Sequence, residues 1–172
     1  GVTFDSLRTT MKTWNGTRVH IVGDTIVDSY IYCNLVGTGT SKTPTMSIMY
    51  ERQVDFAGGA AIVAKHLRAA GAEVKFSTVL GDDPLKDFIL QDMASNGIEC
   101  EASIDPSRVT TQKNVFIAGG HRMLKVDKVD KRPVSDKILE HLKTSLSSSK
   151  ADAFVFSDFR HGIFNRFTVP SL

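Results

Sequence analysis

With 172 residues, 41% of them apolar and 23% charged, the chain can build one domain around a sizeable core. Its 21 basic and 19 acidic side chains are interspersed and leave a formal charge of +2, which excludes the basic footprint of a nucleic-acid or anionic-membrane binder. Cys33 and Cys100 stand far apart and outside any C-x-x-C or Cys/His spacing, so they read as free thiols in a reducing compartment.

The amino terminus, GVTFDSLRTTMKTW, lacks the basic start and apolar run of a signal peptide. No stretch approaches the roughly 18 apolar residues of a membrane span. The expectation is a soluble, cytoplasmic protein.

Phe4, Leu7, Met11 and Trp14 recur at helical spacing between a capping Thr3 and the stop Asn15-Gly16, which predicts a short amphipathic helix docked on the main body. RVHIVG (Arg18 to Gly23) has the form of a buried parallel strand. Tyr30 to Val36 and Met46 to Val54 are strand-like and separated by a Gly/Thr/Ser-rich link with Pro44. GGAAIVAKHLRAAG predicts a helix with a stripe of Val63, Leu67 and Ala70, stopped by Gly71.

EVKFSTVL is the next strand. Asp83-Pro84 then opens a helix bearing Leu85, Phe88, Ile89 and Met93, ended by Asn96-Gly97. VTTQKNVFIA and RMLKVDKV predict a hairpin around Gly119-Gly120. Ser135 caps a helix carrying Ile138, Leu139, Leu142 and Leu146, and AFVFSD is a further buried strand. This alternation implies a mostly parallel α/β sheet covered on both faces, with a small β flap at one edge.

Ligands of such sheets collect at the carboxyl ends of the strands. Three ends carry polar or glycine residues: Gly23-Asp24 with Asp28 beyond, Leu80-Gly81-Asp82-Asp83, and Ser157-Asp158. Single acids there serve as turn formers more often than as ligands. Gly58-Gly59 is sharper, because two glycines before an alanine-rich helix let an oxygen-rich ligand approach free N–H groups; a tight turn with close packing explains them equally well. The stretch GTGTSKT (Gly37 to Thr43) is not a phosphate loop, since Ser41 stands where a glycine must precede the lysine. The histidines show no ligand spacing and no serine sits in a nucleophile elbow, so no metal is expected.

The segments GDTIVDSYIYC, FAGGAAIVAKHLRAAG, VLGDD, VTTQKNVFIAGGHRMLKVD and VFSDFRHG, from about Arg18 to Gly162, resemble the ribokinase, or PfkB, carbohydrate kinases. They are most similar to the heptose-phosphate kinase branch, whose members are often fused to a nucleotidyltransferase domain. The resemblance implies a three-layer α/β/α fold with a β lid, present here only as its N-terminal portion over 17–172. The lid falls at about 29–57 and 110–127, and residues 1–16 stand where fused members have a linker helix.

By the same resemblance Asp28 holds sugar hydroxyls, Gly58 and Gly59 line the sugar pocket, Lys113 meets a substrate phosphate, and Asp158 lies near the nucleotide phosphates. Ile62 replaces a family asparagine and His161 replaces the lysine of S-D-Y-x-K-G. The family's G-A-G-D run is absent, so no catalytic residue is assigned within the chain and the catalytic aspartate is expected beyond Leu172.

ATP and Mg are therefore expected cofactors of the intact enzyme and not of this chain, which is expected to be inactive alone and to self-associate through its lid strands. The alternatives are a non-catalytic sugar-binding or regulatory module of the same fold, and a nucleoside kinase.

Overall fold

The computed structural model of the chain describes residues 1–36 and 45–172; GTGTSKT lies outside them. Among the described residues two four-stranded sheets carry the architecture. The main sheet is parallel throughout, in the order β5 (Glu99–Asp105), β4 (Glu73–Gly81), β1 (Arg18–Gly23), β8 (Ala153–Ser157). Helices α2 (Ala60–Ala69) and α3 (Pro84–Ser95) cover one face and α4 (Asp136–Ser148) the other.

The two-residue alternation of β1 assigns its side chains to the two layers. Val19 and Ile21 join Val74 and Phe76 against Ala60, Ala61 and Ala64 of α2 and Ile89 and Met93 of α3. Val22 turns the other way and packs with Ile138, Leu142 and Leu146 of α4, a cluster that Leu172 joins from the last residues of the chain. Ile21, Phe76 and Ile89 are fully buried, each worth about 1.5–3 kcal/mol relative to exposure.

The second sheet is the lid, in the order β3 (Ile48–Gly59), β2 (Thr25–Leu35), β6 (Gln112–Ala118), β7 (His121–Lys128). Its outer pairs are antiparallel, but the central pair, β2 with β6, is parallel. The lid strands reach further toward the main body than their apolar cores suggest, because β2 begins at Thr25 and β3 continues to Gly59. Asp24 alone separates β1 from β2. The predicted hairpin at Gly119-Gly120 is present, and both glycines have positive φ.

Three local expectations are corrected. Helix α1 (Phe4–Thr13) forms, closed by a capping box in which the Thr3 and Ser6 side chains each accept the other's backbone N–H, but it buries no residue. Phe4 remains 86% exposed and Trp14 43%. The body meets its C-terminal end, where the Gly16 N–H donates to the Gly71 carbonyl at 2.9 Å.

In α2 the deepest burial falls on Ala60, Ala61 and Ala64, with Val63 and Leu67 only partly buried, because a close-packed helix puts its smallest side chains nearest the sheet. Strand β5, ECEASID, is not among the predicted elements. Its alternating acids suit an edge strand and mask its β character.

Candidate functional site

The site is built where the lid leaves the main sheet. Residues in register across a sheet share a face. One row of the lid therefore reads Phe56, Asp28, Lys113, Asp127, from β3 through β2 and β6 to β7. Asp28 lies inside β2 rather than in a turn after β1, so its side chain is directed by the pleat and not by a local cap. It is partly buried, as is Lys113.

Further along the same face Tyr30 meets Phe56 edge-on at 5.8 Å between ring centroids, and the Arg52 guanidinium stacks 3.9 Å over Tyr32. On the opposite face Ser29 donates to Asp55 at 2.5 Å and accepts from Gln112 at 2.9 Å, a buried polar tie that stiffens the strands carrying Asp28 and Lys113.

Gly58 pairs with Ile26 at the base of the lid, and a Cβ there would collide with the Asp28 carboxylate. Gly59 caps α2 at φ 59°, a left-handed conformation that disfavours side chains, and a Cβ would strike the Asp24 carbonyl oxygen. No side chain caps α2, which leaves the start of the helix to backbone groups. The Ala60 N–H donates to the Asp24 carbonyl at 2.9 Å. The structure thus brings Asp28, Gly58, Gly59 and Lys113 to one end of the lid.

Asp158 is exposed after β8, and its Oδ1 accepts the Arg160 N–H at 2.6 Å, the geometry of a turn former. The buried Asp24 carboxylate, which sequence reasoning named only as one acid at a strand end, holds this loop. Its Oδ2 accepts the Phe159 N–H at 2.9 Å and the His161 N–H at 3.1 Å. No local signal announces a bond from position 24 to positions 159 and 161.

Behind the loop a cavity of about 10 Å³, room for about one water, is lined by Asp24, Thr25, Arg108, Asp130 and His161 among others. His161 Nδ1 is buried there without a hydrogen-bond partner. Burial pulls the His161 pKa below its ordinary value; Asp24 opposes this, and the charges of Lys113 and Lys131 add to it.

Leu172, beyond which the catalytic aspartate is expected, closes a second cavity beside Asp158. It measures about 300 Å³ and is lined by Phe156, Asp158, Phe164, Val169 and Leu172. Asp158 is the one acidic side chain of a lining that is otherwise apolar.

Among the described residues no group of three His, Cys, Asp or Glu side chains is placed to hold a metal ion. The Asp158 oxygen nearest the loop is already committed to backbone. No chemical step through a nucleotide or Mg is assigned to these residues.

Three comparisons bear on this arrangement. Residues 17–158 match the family described as pfkB family carbohydrate kinase. The proteins named Bifunctional protein HldE from Caulobacter vibrioides and Paramagnetospirillum magneticum are 33% and 32% identical over 92% and 86% of the chain, covering 33% and 31% of their own lengths. The chain thus spans about a third of the curated relatives it matches.

Among solved structures, phosphofructokinase-2 from Escherichia coli in complex with fructose-6-phosphate superposes with a TM-score of 0.61 at 14% identity, over 82% of this chain and 45% of that one. The tetrameric inhibited form of the same enzyme gives 0.67 at 12% identity, over 90% and 49%. These structural likenesses carry the fold, a parallel α/β sheet with a β lid, and the match over 17–158 carries the family: the chain belongs to the PfkB carbohydrate kinases.

Proposed function

We propose that this chain is the sugar-binding, N-terminal portion of an ATP-dependent carbohydrate kinase acting on a sugar phosphate, with heptose 7-phosphate as the first candidate. The observation that carries the reading is the placement of Asp28 over Gly58 and beside Lys113 in one lid row. An ionised carboxylate accepts two hydroxyl hydrogen bonds, and a lysine supplies a point charge for a phosphate. Glycines at 58 and 59 keep side chains away from the pocket floor and the start of α2. The relatives named HldE support the sugar-phosphate reading.

In this reading residues 17–172 are the front of the kinase domain, α1 belongs to a linker, and the catalytic aspartate follows Leu172 in the intact enzyme. A fused nucleotidyltransferase domain is the expected partner, as the word bifunctional in those relatives' names suggests. ATP and Mg act in the intact enzyme, in the cytoplasm. The 172-residue chain alone is expected to turn over no sugar, because its sequence lacks the G-A-G-D run that would supply the base for the hydroxyl proton and the anion hole for the transferred phosphoryl group. No helix of the described residues is long and apolar enough to cross a membrane.

The test is calorimetry of the chain with heptose 7-phosphate and ATP. The reading expects heptose 7-phosphate to bind, the Asp28→Ala variant to bind it roughly 10- to 150-fold more weakly per lost bond, and no phosphorylated product. Binding that Asp28→Ala leaves intact overturns the site. Turnover by the chain alone overturns the division of labour.

A second reading, a non-catalytic sugar-binding module, is favoured by the commitment of Asp158 to its own turn. Kinase activity of the full-length protein excludes it.

A further inference from the structure

The loop after β8 has an unusual hydrogen-bonding pattern. Three successive backbone N–H groups, of Phe159, Arg160 and His161, are all held by carboxylates: Asp24, Asp158 and Asp24 again. Between the two bonds to Asp24, Arg160 adopts φ 61°, and it is the one non-glycine residue of positive φ among the described residues. Left-handed backbone disfavours a residue with a Cβ and persists only where the surroundings impose it. Here they do, through a buried Asp24 that fixes both flanking amides.

Gly162 follows at φ 104°, and a Cβ there would strike the Arg132 carbonyl oxygen, so the loop is pinned from behind as well. Arg160 itself is exposed, and its guanidinium makes no hydrogen bond or ion pair with any described residue. Packing does not account for an arginine held in this way. The next residue, His161, lies within electrostatic reach of Lys113 and Lys131, with Asp24 and then Asp127 of β7 as the opposing acids. Asp24 and one oxygen of Asp158 accept backbone N–H groups, and neither carboxylate pairs with the Arg160 guanidinium.

We infer that Arg160 is an anion-contacting residue of the site, presented by the Asp24 clamp to a phosphoryl group that Lys113 approaches from the lid. A guanidinium offers a planar, bidentate fork to phosphate oxygens, which a lysine or histidine at the same place cannot supply. This inference rests on the sugar-phosphate reading and names the residue that would contact the phosphoryl group within it.

The experiment uses inorganic phosphate as the probe and follows the backbone amide signals of residues 158–162 of the 172-residue chain by NMR. Phosphate should shift these signals, Arg160→Ala should weaken the response about 5- to 10-fold, and Arg160→Lys should retain part of it. Arg160→Gly separates function from strain. Glycine suits φ 61°, so this variant should hold or raise the melting temperature while binding phosphate as poorly as Arg160→Ala.

An unshifted loop, or a full phosphate response in Arg160→Gly, overturns the inference whatever the sugar does. Asp28→Ala is measured alongside with heptose 7-phosphate. If that variant binds the sugar phosphate normally while Arg160→Ala loses inorganic phosphate, the sugar reading fails and the anion contact stands.

Discussion

The Asp28 carboxylate fills the space that any side chain at position 58 would need. The neighbouring glycine faces a different obstacle, since position 59 abuts the backbone of Asp24 and Ile26 and carries positive φ. The two glycines therefore predict different failures. Gly58→Ala pushes a side-chain carboxylate aside, so stability should fall by less than about 1 kcal/mol while sugar affinity falls about as far as in Asp28→Ala. Gly59→Ala meets immovable backbone and an unfavourable φ, and should cost about 1–3 kcal/mol of stability. Urea denaturation paired with calorimetry distinguishes them; equal stability losses would contradict this account.

His20 sets an acid limit on stability. It is fully buried on β1, its Nε2 lies 2.8 Å from the Ser77 hydroxyl, and its Nδ1 has no partner. Burial, with help from the charge of Lys75 and against that of Glu101, lowers its pKa to about 4 from 6.5. Between these values the unfolded chain binds a proton that the native state refuses, so stability rises with pH across that window. It is complete above about pH 6.5 and is lost as the pH falls toward 4, a contribution on the order of 3 kcal/mol. His20→Asn should lower stability at pH 7 and flatten this slope by about one proton. A slope unchanged in that variant assigns the acid sensitivity elsewhere.

Asp83 serves two elements at once. Its Oδ1 accepts the Leu85 and Lys86 N–H groups at the start of α3, and its Oδ2 accepts the buried Thr110 N–H at 2.8 Å just before β6. Asp83→Ala removes the cap, worth about 0.5–2 kcal/mol, and strands the Thr110 amide at about 1–3 kcal/mol more. Asp83→Ser restores only the cap, so it should recover the smaller part. Full recovery by serine, measured by thermal melting, would show that the Thr110 bond is immaterial.

The open sheet edges predict association. Strand β8 pairs with β1 on one side, with Phe154 and Phe156 exposed, and Leu124 is exposed on the lid edge strand β7. Unpaired edges with apolar side chains recruit strands from other molecules. Light scattering at high micromolar concentration should report oligomers, and Leu124→Glu should shift them toward monomer more than Phe156→Glu if the lid is the contact. A strictly monomeric parent chain would sink the idea.

The elements legible in sequence are those whose signal is local. Asp83-Pro84 and Ser135 announce helix starts, and Gly119-Gly120 announces a hairpin, because caps and turns are written in adjacent residues. Asp28, Gly58, Gly59 and Lys113 are named as candidates by the resemblance alone; the structure places them at one end of the lid, and their roles stay a proposal. Asp24 is not, because its carboxylate acts on amides 135 and 137 positions away. The expected docking of α1 fails for a related reason: an apolar stripe records what a helix could bury, and not whether a partner surface is present.

The parallel pairing of β2 with β6 has a consequence for the order of assembly. Val27 pairs with Gln112 and Cys33 with Ala118, so the centre of the lid joins segments separated by β3, α2, β4, α3 and β5. Each antiparallel pair, β2 with β3 and β6 with β7, is local and can form early. Their joining must wait for loop closure across the intervening chain, which the main parallel layer shortens once it has collapsed. The row bearing Asp28 and Lys113 is then among the last parts to be completed.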